Sequence, residues 1–249
     1  SQTKTHAEFY SNLGNPEKDF RNNNLTNLIL DFLKKGSLLD IGAGIGFLLY
    51  QASKNSRKVK GLEPDEGLVD LSKKLFGELN IAQTSLDNYE SREKFDNIIA
   101  VDVLECIADY KGALKKMVSF LNNGGRLILV VPAYPSLFGS RDKLMGYFRR
   151  FNKKEFFLEL ESLNLKIIKI RYWNFLMVLP YWILYKVFKK ESFFDSTRGG
   201  KNRKNLLSKF LDFWFKYVEN KINLSFGLSL IFVAEKRVIP MNLQKRVNL

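Results

Sequence analysis

The chain has 249 residues, 45% of them hydrophobic, and its 40 Lys and Arg against 26 Asp and Glu give a net charge of +14 at pH 7. A chain of this length and apolar content can bury a full core, either as one large domain or as one domain with a cap. The single cysteine, Cys106, excludes an internal disulfide, and no stretch near the N-terminus resembles a signal peptide, so a reducing cytoplasm is the expected location.

The excess positive charge is confined to the second half of the sequence. Residues 1–131 contain 17 basic and 17 acidic side chains, whereas residues 132–249 contain 23 basic and 9 acidic ones. An even compositional bias toward lysine and asparagine would not leave one half neutral. The favoured interpretation is therefore a basic face directed at an anionic substrate, a membrane surface or nucleic acid.

A glycine-rich turn is the most informative feature of the first half. Residues 38–41 are predicted to form a buried strand, and glycines follow at positions 42, 44 and 46. A strand that leads through such a turn into a helix is the nucleotide-binding corner of doubly wound α/β folds. A dinucleotide fingerprint would place the third glycine where Phe47 stands. Asp40, just before the turn, would repel a pyrophosphate but suits the positively charged amino-acid end of S-adenosylmethionine.

A second acidic residue ends the next predicted strand, residues 59–63. Glu63 stands where a carboxylate can accept hydrogen bonds from both hydroxyls of a ribose. Asp40 and Glu63 therefore fit one ligand.

Five segments in register resemble the motifs of class I S-adenosylmethionine-dependent methyltransferases, of the small-molecule group that includes the quinone-pathway enzymes. They are residues 39–46 (LDIGAGIG), 61–65 (GLEPD), 84–87 (TSLD), 95–105 (FDNIIAVDVLE) and 123–132 (NGGRLILVVP). The first motif alone could reflect tight packing in any α/β protein, but the four further motifs favour the family.

The resemblance covers residues 36–131 and implies an α/β fold with a doubly wound, seven-stranded, mostly parallel sheet. It implies S-adenosylmethionine as cofactor, S-adenosylhomocysteine as product and no metal ion. The cofactor-binding residues that it implies are Asp40, Gly42, Ala43, Gly44, Gly46, Glu63, Pro64, Ser85, Leu86, Asp87, Asp102 and Val103.

The same resemblance divides the chain into five parts. They are N-terminal lid helices at 1–35, a cofactor-binding core at 36–171, a helical cap inserted at 172–226, the last core strand at 227–237 and a tail at 238–249. In the lid, Tyr10, Phe20 and Arg21 are expected to face the cofactor.

The elements after the fifth strand are predicted from local patterns. Residues 132–150 are predicted to be a loop, and Asn152 is predicted to cap a helix that ends near Leu163. Residues 165–172 and 227–236 are predicted to be the antiparallel sixth and seventh strands, with roughly fifty residues between them.

The content of this insertion is unusual. Residues 172–185 carry no charge and include Trp182, but they are fewer than the ~20 residues needed to span a bilayer. Lysines follow at once, and then a predicted helix with Leu207, Phe210, Leu211, Trp214 and Val218 on one face and Phe213 and Phe215 off it. One interpretation is a cap over the active site. The other is a cap whose Trp182, Trp214 and flanking lysines also bring it to an anionic lipid surface, peripherally at the inner membrane face.

The acceptor is expected at the loop after the fifth strand, because this loop leaves the carboxyl end of the sheet beside the cofactor. The candidate acceptor-binding residues are Tyr134, Arg141, Tyr147, Arg149 and Arg150. The arginines could hold a carboxylate or phosphate, or they could form a solvated basic turn.

No catalytic residue is identified from the sequence. The chain resembles a subgroup with one histidine in the turn after the fourth strand and one in this loop. Cys106 and Tyr147 replace them here, and the one histidine of the chain is His6. A histidine base is therefore not expected unless the N-terminal segment folds over the site. Since the methyl sulfonium is already activated, an in-line displacement depends more on positioning within about 3 to 3.5 Å than on acid or base. The unranked proton acceptors nearby are Tyr134, Tyr147, Asp142 and Glu105.

The predicted function is S-adenosylmethionine-dependent methyl transfer to a small-molecule or lipid-like acceptor, anionic or lipid-linked. A nucleic-acid methyltransferase would explain the basic half, but the turn after the fourth strand lacks the Asn/Asp-Pro-Pro-aromatic sequence that grips a flipped base. A non-catalytic, membrane-associated binding module is the second alternative, and such a module would be expected to have lost the motif acids or glycines.

Overall fold

The computed structural model describes residues 16–54, 58–183 and 206–238. The strands are β1 (Leu38–Ile41), β2 (Val59–Leu62), β3 (Ile81–Ala82), β4 (Phe95–Val101), β5 (Leu121–Pro132), β6 (Leu165–Trp173) and β7 (Ser229–Lys236). The helices are α1 (Phe20–Phe32), α2 (Phe47–Ser53), α3 (Glu66–Phe76), α4 (Tyr110–Phe120), α5 (Ser140–Leu144), α6 (Lys153–Ser162), α7 (Val178–Trp182) and α8 (Leu206–Trp214), the last continued by a π-helical segment (Phe215–Glu219).

All seven strands form one sheet in the order β3-β2-β1-β4-β5-β7-β6. Neighbouring strands are parallel except that β7 runs antiparallel to both β5 and β6. The predicted fold class is therefore confirmed. The strand order reverses between β1 and β4, and in open α/β sheets the ligand crevice lies outside the carboxyl ends of the strands at such a point.

Both faces of the sheet are covered, which explains the continuous apolar runs of its central strands. Residues 127–131 of β5 are completely buried. On one face they pack with helices α4 and α6 through side chains such as Leu114 and Phe156. On the other face the core includes Ile29 of α1, Ala52 of α2 and Phe215 after α8. The two layers hold the strand ends at fixed positions.

Short polar side chains begin several helices. Asp19 accepts a hydrogen bond from the backbone N–H of Arg21 at 3.0 Å and so caps α1. Asn152 caps α6 as predicted, by accepting from the N–H of Lys154 at 2.9 Å. Residues 132–150 differ from the predicted loop because they contain helix α5, and Asp142 accepts from the N–H of Gly139 at its start.

The described part of the insertion consists of α7 and α8, and none of the described helices is long and apolar enough to cross a bilayer. The predicted apolar face of α8 is wrong at two positions: Phe215 is fully buried, whereas Phe210 is 53% exposed. Phe215 follows the buried Leu211 by four residues, so ordinary α-helical spacing places both on one face. The π-helical segment begins only at Phe215, where the N–H of Asn220 donates to the carbonyl of Phe215 five residues earlier.

The end of the π-helical segment fastens the insertion to the sheet and to α1. Arg171 of β6 donates to the carbonyl oxygens of Asn220 at 3.3 Å and Ile222 at 3.0 Å. The Asn220 side chain accepts from the indole N–H of Trp173 at 3.0 Å and donates to the carbonyl of Asn24 in α1 at 2.9 Å. These hydrogen bonds therefore connect helix α1 to the insertion.

Candidate active site

A cavity of about 770 Å³ lies at the carboxyl ends of β1, β2 and β4, beneath helix α1. Of the predicted cofactor residues, those that line it are Asp40, Gly42, Ala43, Gly44, Glu63, Pro64, Ser85, Leu86, Asp87, Asp102 and Val103. Gly46 is not among the lining residues.

The three glycines of the turn have left-handed backbone conformations, with φ of 70° at Gly42, 56° at Gly44 and 74° at Gly46. A Cβ atom at Gly42 would lie 2.4 Å from the Val103 side chain, whereas one at Gly44 would point into open space on the cavity side. A Cβ at Gly46 would lie 2.6 Å from the hydroxyl of Ser72. Gly46 therefore serves the packing of the turn on α3.

Glu63 is held in place by two backbone N–H groups. Its Oε2 accepts from Gly44 at 2.8 Å, and its Oε1 accepts from Asp65 at 2.9 Å. A carboxylate oxygen can accept more than one hydrogen bond, so both oxygens keep capacity for donors that enter the cavity. The side chain is buried among the lining residues, and the arrangement suits a pair of adjacent hydroxyls.

Asp40 is a buried acid close to this second acid. Burial, and then the charge of Glu63, raise the pKa of the Asp40 carboxyl to about 8. Burial likewise raises the pKa of Glu63. Two buried carboxyls are best stabilised in their charged form by a cation between or beside them. The two acids therefore fit a ligand that combines a ribose with a cationic group. S-adenosylmethionine has both.

Helix α1 supplies the cover of the cavity. Arg21 lines it and donates from Nη2 to Oδ2 of Asp102 at 3.0 Å, as expected for a lid residue. Asp102 has φ of 54°, an unusual conformation for a residue other than glycine. Phe20 instead stacks on Phe215, with ring centroids 5.7 Å apart. Tyr10 and His6 lie outside the described residues.

The acceptor loop contributes Arg141, Met145, Tyr147 and Phe148 to the cavity wall. Of the five predicted acceptor residues, Arg141 and Tyr147 are thus at the cavity. Desolvation, followed by the charge of Glu105, raises the pKa of Tyr147 well above its ordinary value, so its phenol is neutral.

The other three predicted acceptor residues do not line this cavity. Arg150 is buried in a two-point ion pair with Asp142, at 3.0 and 2.8 Å, and it donates to the hydroxyl of Tyr181 at 2.5 Å. A buried pair of this kind is fully engaged in structure. The structure therefore does not support the prediction that Arg150 binds the acceptor. Its side chain instead stabilises the loop through these contacts.

Arg149 and Tyr134 are also engaged elsewhere. Arg149 donates to the carbonyl of Ala108 at 2.7 Å, and its guanidinium lies 4.7 Å from the ring centroid of Tyr110. Tyr134 stacks on Tyr172 with ring centroids 5.7 Å apart and lines a separate cleft of about 450 Å³. Neither side chain reaches the cavity beneath α1.

Cys106, Met145 and Phe148 were not predicted as site residues, although they line the cavity. Desolvation and the charges of Glu105 and Asp102 raise the pKa of the Cys106 thiol to about 12, so it is protonated at neutral pH. In the sequence, only the position of Cys106, directly after the fourth-strand motif, indicates that it lies at the site.

A profile of the family described as "Methyltransferase domain" matches residues 18–169, more than half of the chain. The chain belongs to this methyltransferase family. Its domain is a class I S-adenosylmethionine-dependent methyltransferase, as the motifs implied, and S-adenosylmethionine is its cofactor.

Two curated relatives are named ubiquinone biosynthesis O-methyltransferase. The one from Bradyrhizobium diazoefficiens is 27% identical over 96 residues, which are 37% of this chain and 38% of that protein. The one from Nitrobacter winogradskyi is 30% identical over 94 residues, 36% of either chain. The similarity thus spans little more than a third of each relative's length.

Solved methyltransferase structures share the fold over much more of the chain. The plantazolicin methyltransferase BpumL in complex with S-adenosylhomocysteine has a TM-score of 0.59 at 16% identity, over 93% of this chain and 90% of that one. A phosphoethanolamine N-methyltransferase of Haemonchus contortus has a TM-score of 0.56 at 18% identity, over 87% of this chain and 53% of that one. At these identities the likeness concerns the fold.

Asp40 and Glu63 lead to two different predictions, and the first concerns Glu63. Replacing Glu63 by Gln removes the charge-assisted hydrogen bonds expected to the ribose, worth about 1.5 to 3 kcal/mol, so S-adenosylmethionine should bind roughly ten- to hundredfold more weakly. Isothermal titration calorimetry measures this. Glu66→Gln is the matched control, because Glu66 is exposed at the start of α3 and does not line the cavity. Equal affinities in the two variants would contradict the assignment.

The second prediction is a proton linkage at Asp40. Because its pKa is about 8 in the free protein, Asp40 is largely protonated at pH 7, and a bound cation favours the charged form. Cofactor binding at pH 7 should therefore release a proton, and affinity should rise as pH increases toward about 8. Calorimetry in buffers of different ionisation enthalpy counts the protons. Asp40→Asn should abolish the release, and an unchanged release in that variant would refute the linkage.

Proposed function

We propose that this protein transfers the methyl group of S-adenosylmethionine to a small-molecule acceptor that enters between helix α1 and the loop at residues 141–148. The observation that carries the proposal is one continuous cavity with Asp40 and Glu63 at its strand-end wall and Arg141, Tyr147 and Phe148 in its loop wall. Its volume of about 770 Å³ lies in the upper part of the range of about 300 to 1,000 Å³ typical of small-molecule sites. A cavity of this volume supports the proposal that an acceptor binds beside the cofactor.

The cofactor, when bound, supplies a methyl group on a positively charged sulfur that is displaced in line. The chain's own contribution is then mainly to bind and to position. Asp40, Gly44 and Glu63 would hold the nucleoside and its cationic end. Helix α1 would exclude water, with Arg21 kept in place by Asp102.

The lining of the acceptor end suggests the kind of molecule. Met145, Phe148, Leu25 and Ile29 offer an apolar surface, and Arg141 adds a cationic group to the same wall. An acceptor with an apolar or aromatic body and a polar or anionic substituent fits such a lining. The two relatives named as O-methyltransferases support a hydroxyl group as the methylated group.

The decisive experiment is label transfer from S-adenosylmethionine carrying a radioactive methyl group. The purified protein is incubated with small-molecule, lipid and RNA fractions of a native cell extract. We expect label in a small-molecule or lipid product, more than tenfold less with Glu63→Gln at subsaturating cofactor, and no change with Glu66→Gln. Label in RNA alone, or in no fraction, would overturn the proposed function.

We further propose that the acceptor is lipid-like and is reached at an anionic membrane surface. The support is an outer stripe on α8 and its π-helical continuation, defined as Phe210, Phe213 and Tyr217, whose side chains are 53%, 57% and 55% exposed. Lys209 and Lys216 are exposed on the same helical run. Aromatic side chains flanked by lysines on one helix suit the interface of an anionic bilayer.

Helix α7 also carries exposed apolar side chains, whereas Trp214, which the sequence predicted to reach the lipid together with Trp182, is engaged within the protein. Leu179 and Trp182 of α7 are 63% and 50% exposed. The indole of Trp214 instead donates to the buried carboxylate of Glu219 at 3.0 Å. The proposed membrane contact therefore rests on the outer stripe and Trp182.

Vesicle co-sedimentation tests this contact. The protein should bind phosphatidylglycerol vesicles at low salt but not phosphatidylcholine vesicles, and binding should weaken as salt screens the lysines. The double variant Phe210→Ser, Phe213→Ser should lose most of the binding. Leu158→Ser is the matched control, since Leu158 is 55% exposed on α6, which packs on the other face of the sheet. Negligible binding to both lipids at low salt would contradict the proposal.

A further inference from the structure

The turn after β4 contains a buried carboxyl group that the cofactor site does not use. Glu105 lies in the short 3₁₀ turn Leu104–Cys106, and its exposed fraction is 0%. Neither of its carboxyl oxygens has a hydrogen-bond partner in another residue that the structure describes, and its own backbone N–H is the one hydrogen-bond influence that lowers its pKa. A buried polar group without a partner is costly, so such a group in a native protein calls for a functional explanation.

The surroundings of Glu105 connect it to the acceptor end of the cavity. Its backbone carbonyl accepts from the N–H of Phe148 at 2.7 Å, which ties this turn to the acceptor loop. Its neighbour Cys106 and the loop residue Tyr147 both line the cavity. Glu105 itself does not line the cavity, but its charge is close enough to Tyr147 to raise the pKa of that phenol.

The charged groups that face Glu105 come from several elements. Burial is the main influence on its pKa, followed by the charge of Asp102, and both raise it. Arg150 from the acceptor loop and Arg21 from α1 act in the opposite direction. The net direction is well above the ordinary value, so Glu105 holds a proton at neutral pH and becomes a base as pH rises.

We propose that Tyr147 and Glu105 form the proton-accepting pair for a hydroxyl acceptor, with Tyr147 touching the acceptor and Glu105 acting through it. As the methyl group is delivered, the acceptor O–H bond breaks and its proton passes to the Tyr147 oxygen. The phenolic proton of Tyr147 passes to the ionised carboxylate of Glu105, either through one water or after the two groups close to hydrogen-bond distance in the complex. The methyl group arrives without its bonding electron pair and replaces the lost proton on the acceptor oxygen, so charge is balanced. Glu105 is therefore a positioning residue that also stores the proton.

This pairing explains why the acid is buried beside a tyrosine. A proton acceptor works best when its affinity for a proton approaches that of the group it deprotonates, and an ordinary exposed carboxylate is too weak a base for a phenol or an alcohol. Desolvation makes Glu105 a stronger base, and its charge in turn makes the Tyr147 oxygen more basic.

Two readouts test the pair without any acceptor. Infrared difference spectra in an Asp40→Asn background, which removes the other acid expected to be protonated at pH 7, should show a protonated carboxylic acid that is missing when Glu105→Gln is added and is lost at high pH. Ultraviolet titration should show one tyrosine that ionises at lower pH in Glu105→Gln than in wild type, because the nearby negative charge is gone; Tyr147→Phe identifies that residue. Glu219→Gln is the matched control, since Glu219 is equally buried but lies away from the cavity.

The third measurement rests on the proposed function, because its acceptor is the cell-extract fraction that takes up label from S-adenosylmethionine. Wild-type single-turnover rates should rise with pH, whereas Glu105→Gln should be slower by about 10²- to 10⁴-fold with little pH dependence and unchanged cofactor affinity. Tyr147→Phe should behave similarly and covers the case that Glu105→Gln does not fold. If no fraction takes label, the proposed function fails while the spectra still decide on Glu105. An acid signal at pH 7 that Glu105→Gln leaves unchanged, or identical tyrosine titrations in wild type and Glu105→Gln, would overturn the pairing.

Discussion

The carbonyl oxygen of Leu62 accepts hydrogen bonds from the N–H groups of both Gly42 and Ala43, at 2.8 and 2.9 Å. This double contact joins the end of β2 to the turn after β1, and the arrangement of the site depends on it. Glu63 is the next residue, and its carboxylate returns to the turn at the N–H of Gly44. One strand end thus sets the path of the glycine-rich turn and the place of the acid beside it. The glycines are required because this path uses left-handed conformations and passes close to Val103.

The opposite wall of the cavity is built by a different kind of interaction. There the buried ion pair of Arg150 with Asp142 braces the acceptor loop, and Phe148 hydrogen-bonds to the turn that carries Glu105. Buried ion pairs fix geometry more than they add stability. The loop can therefore present Arg141, on the short helix α5, and Tyr147, just after that helix, to the cavity.

The sequence was sufficient for the parts of the site whose geometry is local. Asp40 and Glu63 lie at the ends of neighbouring strands, and the carboxyl ends of parallel strands meet at one edge, so their proximity follows from the pattern of strands. The helix capped by Asn152 was likewise predictable, because a cap acts on the N–H groups two and three residues further on.

Other assignments depended on partners far along the chain. Arg150 meets Tyr181, 31 residues later, and Gly46 is required by Ser72 of helix α3, contacts that no local pattern contains. The apolar face of α8 was misplaced at Phe215, whose ring packs against Phe20 and Trp173, residues far away along the chain. Glu105 was named only as one unranked proton acceptor, since burial without a partner is a property of the folded chain.

The junction around Asn220 has a consequence for how the cavity can open. Asn220 bonds to α1 through Asn24, and the Asn24 side chain in turn donates to Asp212 of α8 at 2.7 Å. Helices α1 and α8 are thus joined as one unit, with cavity-lining residues on its inner side and the outer stripe of aromatic rings on its outer side. Opening of the cavity beneath α1 would therefore require α8 to move together with α1. A surface that held the outer stripe, as the proposed membrane contact implies, would restrain α1 as well.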